Sequence, residues 1–588
     1  MADVYLRFSS RSRSERKMRF FWEWMLAMTT RARRLQERAG RAAERRTIAA
    51  LSTIPDAGAL AAGPGPPPGS GRVARNTAIF SLATGVSRIA GLAREIVAAS
   101  YFGTTAAASA FTIAYLVPNL VANLFANAVL SAAFVPVFTD LLARGRRKEA
   151  EHLARSLFWV MLLALGALTL IFILGAGVIM PAITGFNHHT NTLTVAMSRM
   201  LFPVILLLGL NGLLLGILQS HDRFTIQAIS PAVWNVVTIA LLVVLRMRFG
   251  GEHRIYALAI GILVATAVQF LIALGALRRI GFWLKPSLDW RDRRVRQVFA
   301  LMLPIMIGLG IVNLDQLINS LFGTLVSAQA PRAIDNAFRL YMLPQGLFSV
   351  AVATVLFPTL SRMASRRDAD AMRRAVGIGM RQINLLLIPA AAFMLVLATP
   401  IVRLVYQRGS FTPHSTHLVS IALFWFAFSL PFGGVNLLLT RTFFAVQRPW
   451  IPTRLAAINI IVDIVVSVGL YKPFGIAGLI IGTVAANAVM TALQLLRLRE
   501  GLGGRIEGAQ TLMITARVTL ASALLAAVSW AVWYLLDRLL GRSLPAQLVS
   551  VGAAAAAGLW LYSRAVLAMR VPEAHQVSRL VRAQLGRA

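Results

Sequence analysis

The sequence has no cysteine and few charged residues. Only 14% of its 588 residues are charged, 57% are apolar and the mean hydropathy is +0.68, whereas a soluble domain has roughly 25% charged residues. The lack of cysteine excludes disulfides, thiolate nucleophiles and cysteine-ligated metals. Many apolar stretches reach about 20 residues, the length that one helix needs to cross a ~30 Å hydrocarbon core. They are apolar all round and lack the alternation of a membrane barrel, so they predict an all-α polytopic membrane protein.

Acidic residues are scarce, with 23 Asp and Glu against 59 Lys and Arg and a net charge of +36. In a membrane protein this excess is expected in the cytoplasmic loops, and we predict no nucleic-acid partner. We also find no Walker loop, zinc-protease motif, nucleophile elbow or dinucleotide fingerprint. The sequence therefore predicts a protein that is not an enzyme and has no cofactor, and whose work would draw on an ion gradient or the membrane potential.

Residues 1–72 differ from the rest of the chain because they are basic and end in a Gly/Pro linker at 63–69. Such a tract cannot continue a helix. We predict a disordered cytoplasmic extension. The alternative is an interfacial helix around the aromatic patch at 20–26, attracted to anionic membrane lipids.

From Arg75 onward the hydropathy predicts fourteen spans. Six form an N-lobe (75–280), six form a C-lobe (294–500), two more lie within 510–568, and a cytoplasmic tail follows at 569–588. The spans lie near residues 77–101, 107–140, 156–182, 197–219, 226–246, 255–277, 297–322, 333–360, 382–405, 416–440, 451–471, 475–496, 511–535 and 545–567.

The loops between successive spans are alternately rich and poor in basic residues. With the N-terminus inside, the inner loops hold 25 Lys and Arg and the outer loops hold nine, Arg332 among them. Because cytoplasmic loops carry the excess of basic residues, this distribution predicts that both termini lie in the cytoplasm.

An internal repeat relates the two groups of six spans. The motif Ala-Phe at 110–111 recurs at 337–338, Pro203 corresponds to Pro431, and Ile-Gly at 260–261 recurs at 481–482, with offsets of 227, 228 and 221 residues. The even number of spans between the copies predicts two parallel lobes related by a pseudo-twofold axis along the membrane normal, with a site between them.

Three arginines lie within predicted spans, where a charge is costly and usually faces a cavity or a partner. Arg88 and Arg94 belong to the first span and Arg339 to the eighth. Guanidinium groups suit phosphate because their planar forks donate two hydrogen bonds at once. One alternative is that Arg88 pairs with Glu95 on the same helix face, and another is that Arg94 extends to the outer surface. For Arg339 the alternative is a local pair with Asp335, one turn before it.

Carboxylates inside the spans form a second candidate site. Asn459 and Asp463 are four residues apart in the eleventh span and share a helix face, and Asp315 lies in the seventh span. Carboxylate and amide oxygens would suit a hard cation such as Na⁺, and a carboxylate alone could carry a proton. The alternative is an aspartate held by interhelical hydrogen bonds.

Six short segments share their order and spacing with one transporter family. They are SRIAGLARE at 87–95, AFTIAYLVPN at 110–119, AFVP at 133–136, RLYMLPQG at 339–346, LFPTLSR at 356–362 and RGSFT at 408–412. On these segments, residues 75–505 resemble the MurJ (MviN) family of lipid II flippases, which belongs to the MATE-like MOP exporter superfamily.

The resemblance implies fourteen helices around a central cationic cavity that opens alternately to either side of the bacterial cytoplasmic membrane. The cargo would be lipid II, the undecaprenyl-pyrophosphate-linked precursor of peptidoglycan, moved from the inner to the outer leaflet. Cell-wall synthesis proteins are further expected partners. By this resemblance, Arg88, Arg94 and Arg339 would bind the pyrophosphate.

The resemblance also implies a cation site. In this chain its residues would be Asp315, Asn459, Asp463 and Thr483, holding Na⁺ or a proton. We expect no other metal.

The second span departs from the family pattern. Ser109 replaces an acidic residue, Ala122 and Asn123 replace a pair of arginines, and Asn127 replaces a glutamate. The cavity would be less cationic, so a flippase of another polyprenyl-pyrophosphate glycan is a competing hypothesis. A MATE-like cation-coupled drug exporter and a scaffold for cell-wall proteins are two more.

Overall fold

A computed structural model describes most of the chain, and its regular secondary structure there is entirely helical. The described residues are 70–128, 134–221, 223–366, 368–502 and 507–575. The absence of strands from these ranges confirms the predicted all-α class. Residues 1–69, the end of the predicted tail from residue 576, and the side chains of Asp315 and Asn127 lie outside the described part.

The first six predicted spans coincide with eight α-helices. They are α1 (Ser70–Phe102), α2 (Ala106–Ala128), α3 (Phe134–Ala143), α4 (Arg147–Ile183), α5 (His188–Leu201), α6 (Pro203–Ser220), α7 (Phe224–Leu245) and α8 (Tyr256–Arg279). Pro203 starts α6 directly after α5 because the proline ring fits the first turn of a helix, where its missing N–H has no partner to bond. The two helices therefore make one span together.

The next six predicted spans coincide with another eight α-helices. They are α9 (Arg293–Val326), α10 (Ala330–Pro344), α11 (Val350–Ser365), α12 (Ala369–Val396), α13 (Ala398–Tyr406), α14 (Pro413–Ala445), α15 (Trp450–Phe474) and α16 (Ile476–Gly501). Between α10 and α11 the helix widens to a π-turn at Gln345–Ser349, directly after Pro344. The proline explains the change because it removes a backbone hydrogen bond from the helix ladder.

The last two spans are α17 (Gly508–Leu540) and α18 (Leu544–Ala568), which pack on each other and on the C-lobe helix α12. The Tyr562 hydroxyl donates to the backbone oxygen of Leu385 over 2.6 Å. Arg381 of α12 forms ion pairs with Glu507, which precedes α17, and with Glu573, which follows α18. The hairpin is thus attached to the C-lobe by buried charge as well as by apolar contact.

The two lobes share one packing pattern, as the internal repeat predicts. In the N-lobe α1 packs against α7, α7 against α8, and α2 against α5 and α6. In the C-lobe α9 packs against α15, α15 against α16, and α10 against α14. In both lobes the first span therefore contacts the fifth, the fifth contacts the sixth, and the second contacts the fourth.

Twelve helical segments in the described part are long and apolar enough to cross a membrane. They correspond to twelve of the predicted spans. The helices α1 and α9 lie at the other two, near 77–101 and 297–322, so the count of fourteen remains a prediction while a helix stands at each predicted position.

Candidate substrate cavity and cation site

The two lobes touch at the end of the bundle where α1 ends and α14 begins. The backbone N–H of Ser410 donates to the backbone oxygen of Ser100 over 2.7 Å, and the hydroxyls of Thr104 and Ser415 lie 2.8 Å apart. Gly409 has a φ of +58°, and a Cβ there would lie 2.3 Å from the oxygen of Ser100, so the approach requires glycine. We call these five residues the lobe seal.

Five charged side chains meet between the lobes, at least one helical turn from the lobe seal toward the middle of the bundle. Glu95 of α1 lies 2.5 Å from Arg94, 3.2 Å from Arg339 and 3.4 Å from Arg332. The Oδ2 atom of Asp335 accepts from Arg332 at 3.2 Å and from Arg339 at 3.0 Å. We call these residues the charged cluster; it joins α1 of the N-lobe to α10 of the C-lobe.

The charged cluster is buried and carries one more arginine than carboxylates. The side chain of Arg332 is 4% exposed and that of Glu95 is 9% exposed, whereas 35% of Arg339 is exposed. Three guanidinium groups against two carboxylates leave one positive charge. Burial of charge is tolerable only when each group has partners, and here each arginine has at least one carboxylate.

A small cavity of about 20 Å³ lies beside the charged cluster on its N-lobe side. Arg94, Glu95, Arg332 and Arg339 line it, together with apolar and aromatic side chains of α1, α2 and α8. The Arg94 guanidinium lies 4.6 Å from the centre of the Trp234 ring, a cation–π contact. Arg94 therefore points into the protein and does not extend to the outer surface.

The structure separates Arg88 from the other predicted arginines. Arg88 is exposed, and it forms no ion pair with any described residue. It precedes Glu95 by seven residues, about 10 Å along α1. Glu95 pairs with three other arginines, so the structure does not contain the Arg88–Glu95 pair.

Arg332 does not lie in an outer loop, so the prediction that placed it there is wrong. It belongs to the first turn of α10 and is 3% exposed. Its backbone N–H donates to the Ser109 hydroxyl over 3.3 Å, which satisfies one of the four free N–H groups at the helix start. Ser109, one of the departures from the family pattern, thus joins α2 to α10.

The predicted carboxylate Asp463 is fully buried among polar groups of three helices. The amide nitrogen of Asn319 on α9 donates to Asp463 over 3.2 Å and to Thr483 over 2.9 Å. The hydroxyls of Ser467 and Thr483 lie 3.3 and 3.4 Å from its Oδ1 atom. We call these four residues the cation site, as the candidate that the sequence predicts. The oxygens of Asp463, Ser467 and Thr483 are of the kind that a hard cation such as Na⁺ prefers. The amide nitrogen of Asn319 also makes the interhelical hydrogen bonds of the alternative interpretation.

The sequence predicts two further residues for this site, Asn459 and Asp315. Asn459 is buried one turn before Asp463 on α15, while the side chain of Asp315 is outside the described part. Gly482 lets α16 approach α15, since a Cβ there would lie 2.1 Å from the Ser467 hydroxyl and 2.8 Å from Asp463. The close packing of two helices thus brings Thr483 to Asp463.

Sequence reasoning missed three contributors to these sites: Arg332, Asn319 and Ser467. A signal existed for two of them. Arg332 shares a helix face with Asp335 and Arg339, three and seven residues later, and Asn319 follows the predicted Asp315 by four. Ser467 follows Asp463 by four, but serine is too common in helices for that spacing to single it out.

A known family matches most of the chain. The family model described as "Lipid II flippase MurJ" matches residues 98–550. A probable lipid II flippase MurJ of Rhizobium meliloti is 30% identical over 464 residues, which are 76% of this chain and 84% of the relative. The lipid II flippase MurJ of Burkholderia cenocepacia is 29% identical over 423 residues, 71% of this chain and 81% of the relative.

Solved structures share the fold. A lipid II flippase MurJ in an inward closed conformation has a TM-score of 0.70 at 22% identity and covers 84% of this chain and 99% of its own. An inward-facing multidrug MATE transporter of the MOP superfamily has a TM-score of 0.58 at 14% identity, over 72% of this chain and 94% of its own. At these identities the likeness concerns the fold alone.

Proposed function

The chain belongs to the MurJ family of lipid II flippases, and from that premise we propose that it moves lipid II from the inner to the outer leaflet of the bacterial cytoplasmic membrane. The movement occurs by alternating access, in which the two lobes rock around a site between them. Arg94, Arg339 and Arg88 bind the pyrophosphate, and the prenyl tail stays in lipid. As a member of a transporter family, the protein uses these residues for binding and not for bond chemistry.

The observation that carries this proposal is the surplus arginine of the charged cluster, at a cavity between the lobes. In the absence of cargo, Glu95 and Asp335 hold the guanidinium groups and reduce the cost of burying them. A pyrophosphate offers more oxygen acceptors and more negative charge than a carboxylate. It can therefore replace Glu95 and Asp335 as the partner of Arg339, whose side chain is 35% exposed.

The direction of movement follows from the orientation that the basic loops favour. With both termini in the cytoplasm, α1 runs outward, and the lobe seal lies on the outer side. Arg88 is exposed and lies two helical turns before Glu95 on α1, nearer the cytoplasmic side. It therefore meets the head group first when the lipid enters from that side. Transfer to Arg94 and Arg339 precedes separation of the lobe seal.

The driving force in this proposal comes from a cation that the C-lobe binds. Asp463 and Thr483 of the cation site, together with the predicted Asn459 and Asp315, provide the oxygen ligands for Na⁺ or the carboxylate for a proton. To drive movement, the cation must bind one state of the transporter more tightly than the other.

The test is the exposure of labelled lipid II on the outer leaflet of a flippase-depleted bacterium rescued with this chain. Arg339→Ala and Arg88→Ala should abolish exposure while the protein still inserts. Arg144→Ala is the matched control: its ion pair with Asp140 is exposed and its loss should change nothing. Normal exposure with both cavity variants would overturn the assignment.

The fold that this chain shares with a multidrug MATE transporter makes drug export the second candidate. A cationic drug would be repelled by the surplus arginine of the charged cluster, whereas an anionic head group would be attracted. Drug resistance on expression, without any change in lipid II exposure, would favour the exporter. If deletion of residues 1–72 is by itself enough to abolish rescue of the flippase-depleted bacterium, the scaffold hypothesis is favoured.

A further inference from the structure

A second cavity lies beside Asp335 of the charged cluster, within the C-lobe. Its polar wall is made by Gln316, Asn319 and Ser320 of α9 and by Asp335 of α10, and its apolar wall includes Phe338 and Phe426. The cavity measures about 10 Å³, close to the space that one water-sized particle occupies. Four oxygen-bearing side chains therefore surround room for one small particle.

Asp335 separates this cavity from the arginines. Both of its ion pairs, with Arg332 and Arg339, use the Oδ2 atom. Its Oδ1 atom accepts no hydrogen bond from any residue in the described ranges, although the residue is only 6% exposed. This oxygen has no protein donor in the described part of the chain, and it belongs to a residue that lines the second cavity, where a bound particle could satisfy it.

Asn319 connects the same cavity with the cation site. Its amide nitrogen donates to Asp463 and Thr483, and the residue also lines the second cavity. A single side chain thus separates Asp463 from the space next to Asp335. The arrangement forms a continuous polar row from the cation site through Asn319 to the charged cluster.

We propose that the cavity between Gln316, Asn319, Ser320 and Asp335 is a second site for a cation of the size of Na⁺, and that Asp335 couples it to the substrate. This inference rests on the proposed function. When an anionic diphosphate draws Arg339 away from Asp335, the carboxylate loses a counter-charge. A cation in the second cavity then replaces it, held by Asp335 and the polar oxygens of α9.

Coupling of this kind is reciprocal, because each ligand must change the affinity for the other by the same factor. The diphosphate raises the affinity for Na⁺, and Na⁺ raises the affinity for the diphosphate. The cation would thereby stabilise the loaded transporter, in which Asp335 has exchanged an arginine for a metal ion.

The experiment measures ²²Na⁺ binding to the purified full chain in detergent, with and without geranyl diphosphate. In the unaltered chain the diphosphate should lower the Kd for Na⁺ by about fivefold or more, the lower end of typical coupling between sites. Asp335→Asn should remove this shift while leaving Na⁺ binding without diphosphate intact. Measured without Na⁺, its affinity for geranyl diphosphate should not fall, since the arginines lose a competitor.

Two further variants separate coupling from folding. Ser320→Ala removes one cavity ligand without touching the charged cluster, and it should reduce the shift. Asp140→Asn removes an exposed carboxylate that also pairs with an arginine, and it should leave the shift unchanged. In an Asp463→Asn background, diphosphate-dependent Na⁺ binding should persist, and adding Asp335→Asn should remove it.

A full shift in Asp335→Asn, or no shift in the unaltered chain, would overturn the second site. The second site would also be overturned if diphosphate-dependent Na⁺ binding disappeared in the Asp463→Asn variant. The cation site alone would then account for that binding. If the chain restores lipid II exposure but shows no shift, only this inference fails. If the shift is present but exposure is not restored, the proposed function fails.

Discussion

The charged cluster and the cation site are both buried polar regions, but one joins the lobes and the other lies inside a lobe. In the charged cluster, Glu95 of the N-lobe pairs with Arg332 and Arg339 of the C-lobe. In the cation site, Asp463 is contacted by amide and hydroxyl groups of C-lobe helices. In these two regions, full ion pairs join the lobes, which separate in the proposed mechanism, and neutral donors hold a carboxylate inside one lobe.

The difference has an electrostatic reason. An ion pair across a moving interface can be replaced by a charged ligand or by water when the lobes separate, so its members need not remain unpaired. A carboxylate that stays buried cannot exchange its partner for a ligand or for water, so it depends on fixed hydrogen bonds. The comparison predicts that the inter-lobe contacts control movement, whereas the intra-lobe contacts control affinity for the cation.

The largest effect is expected from a covalent bond across the lobe seal. The chain has no cysteine, so Thr104→Cys with Ser415→Cys introduces the only possible disulfide, at positions whose hydroxyls lie 2.8 Å apart. Oxidation should stop lipid II exposure completely, and reduction should restore it. The matched pair Ser156→Cys with Ser287→Cys replaces hydroxyls 2.9 Å apart that link α4 to the segment between α8 and α9, and its oxidation should have no effect. Continued flipping with the first bond formed would contradict rocking lobes.

An intermediate effect is expected from Arg332→Gln. The change removes one partner each from Glu95 and Asp335 in a buried setting. Both carboxylates still pair with Arg339, so the cost stays below the ~3–5 kcal/mol of a buried charge left without a partner. The melting temperature of the purified protein should fall by several degrees. Arg144→Gln removes an exposed ion pair, which is worth about 1 kcal/mol or less. Equal melting temperatures for the two variants would show that the charged cluster adds no stability.

The smallest effect is expected from Ser467→Ala. It removes one hydrogen bond to Asp463, worth about 1 kcal/mol, and Na⁺ affinity should fall about fivefold, since about 1.4 kcal/mol corresponds to tenfold. Binding of ²²Na⁺ measures the change. Ser529→Ala also removes a buried hydroxyl, one that donates to the backbone of Ala554, and it should leave Na⁺ affinity unchanged. A similar fall in both variants would place the cation elsewhere.

Residue spacing predicted part of the candidate sites. Asp463 and Asn459 share a face of one helix, as do Asp335 and Arg339, and such local relations follow from 3.6 residues per turn. The spacing contains no sign that Asn319 would reach Asp463, because that contact joins residues 144 positions apart. The polar neighbours of Arg332 in sequence are typical of a loop, although α10 has already begun at Ala330.

Hydropathy by itself determined the class of this protein: segments long enough to cross a bilayer must satisfy their own backbone groups, and helices do so. The internal repeat determined that there are two lobes of one topology. Only the tertiary structure decided which carboxylate pairs with which arginine, since Arg332 and Glu95 are 237 positions apart. Their meeting depends on how α1 and α10 are packed across the lobe interface, and the period of a single helix carries no information about its neighbour.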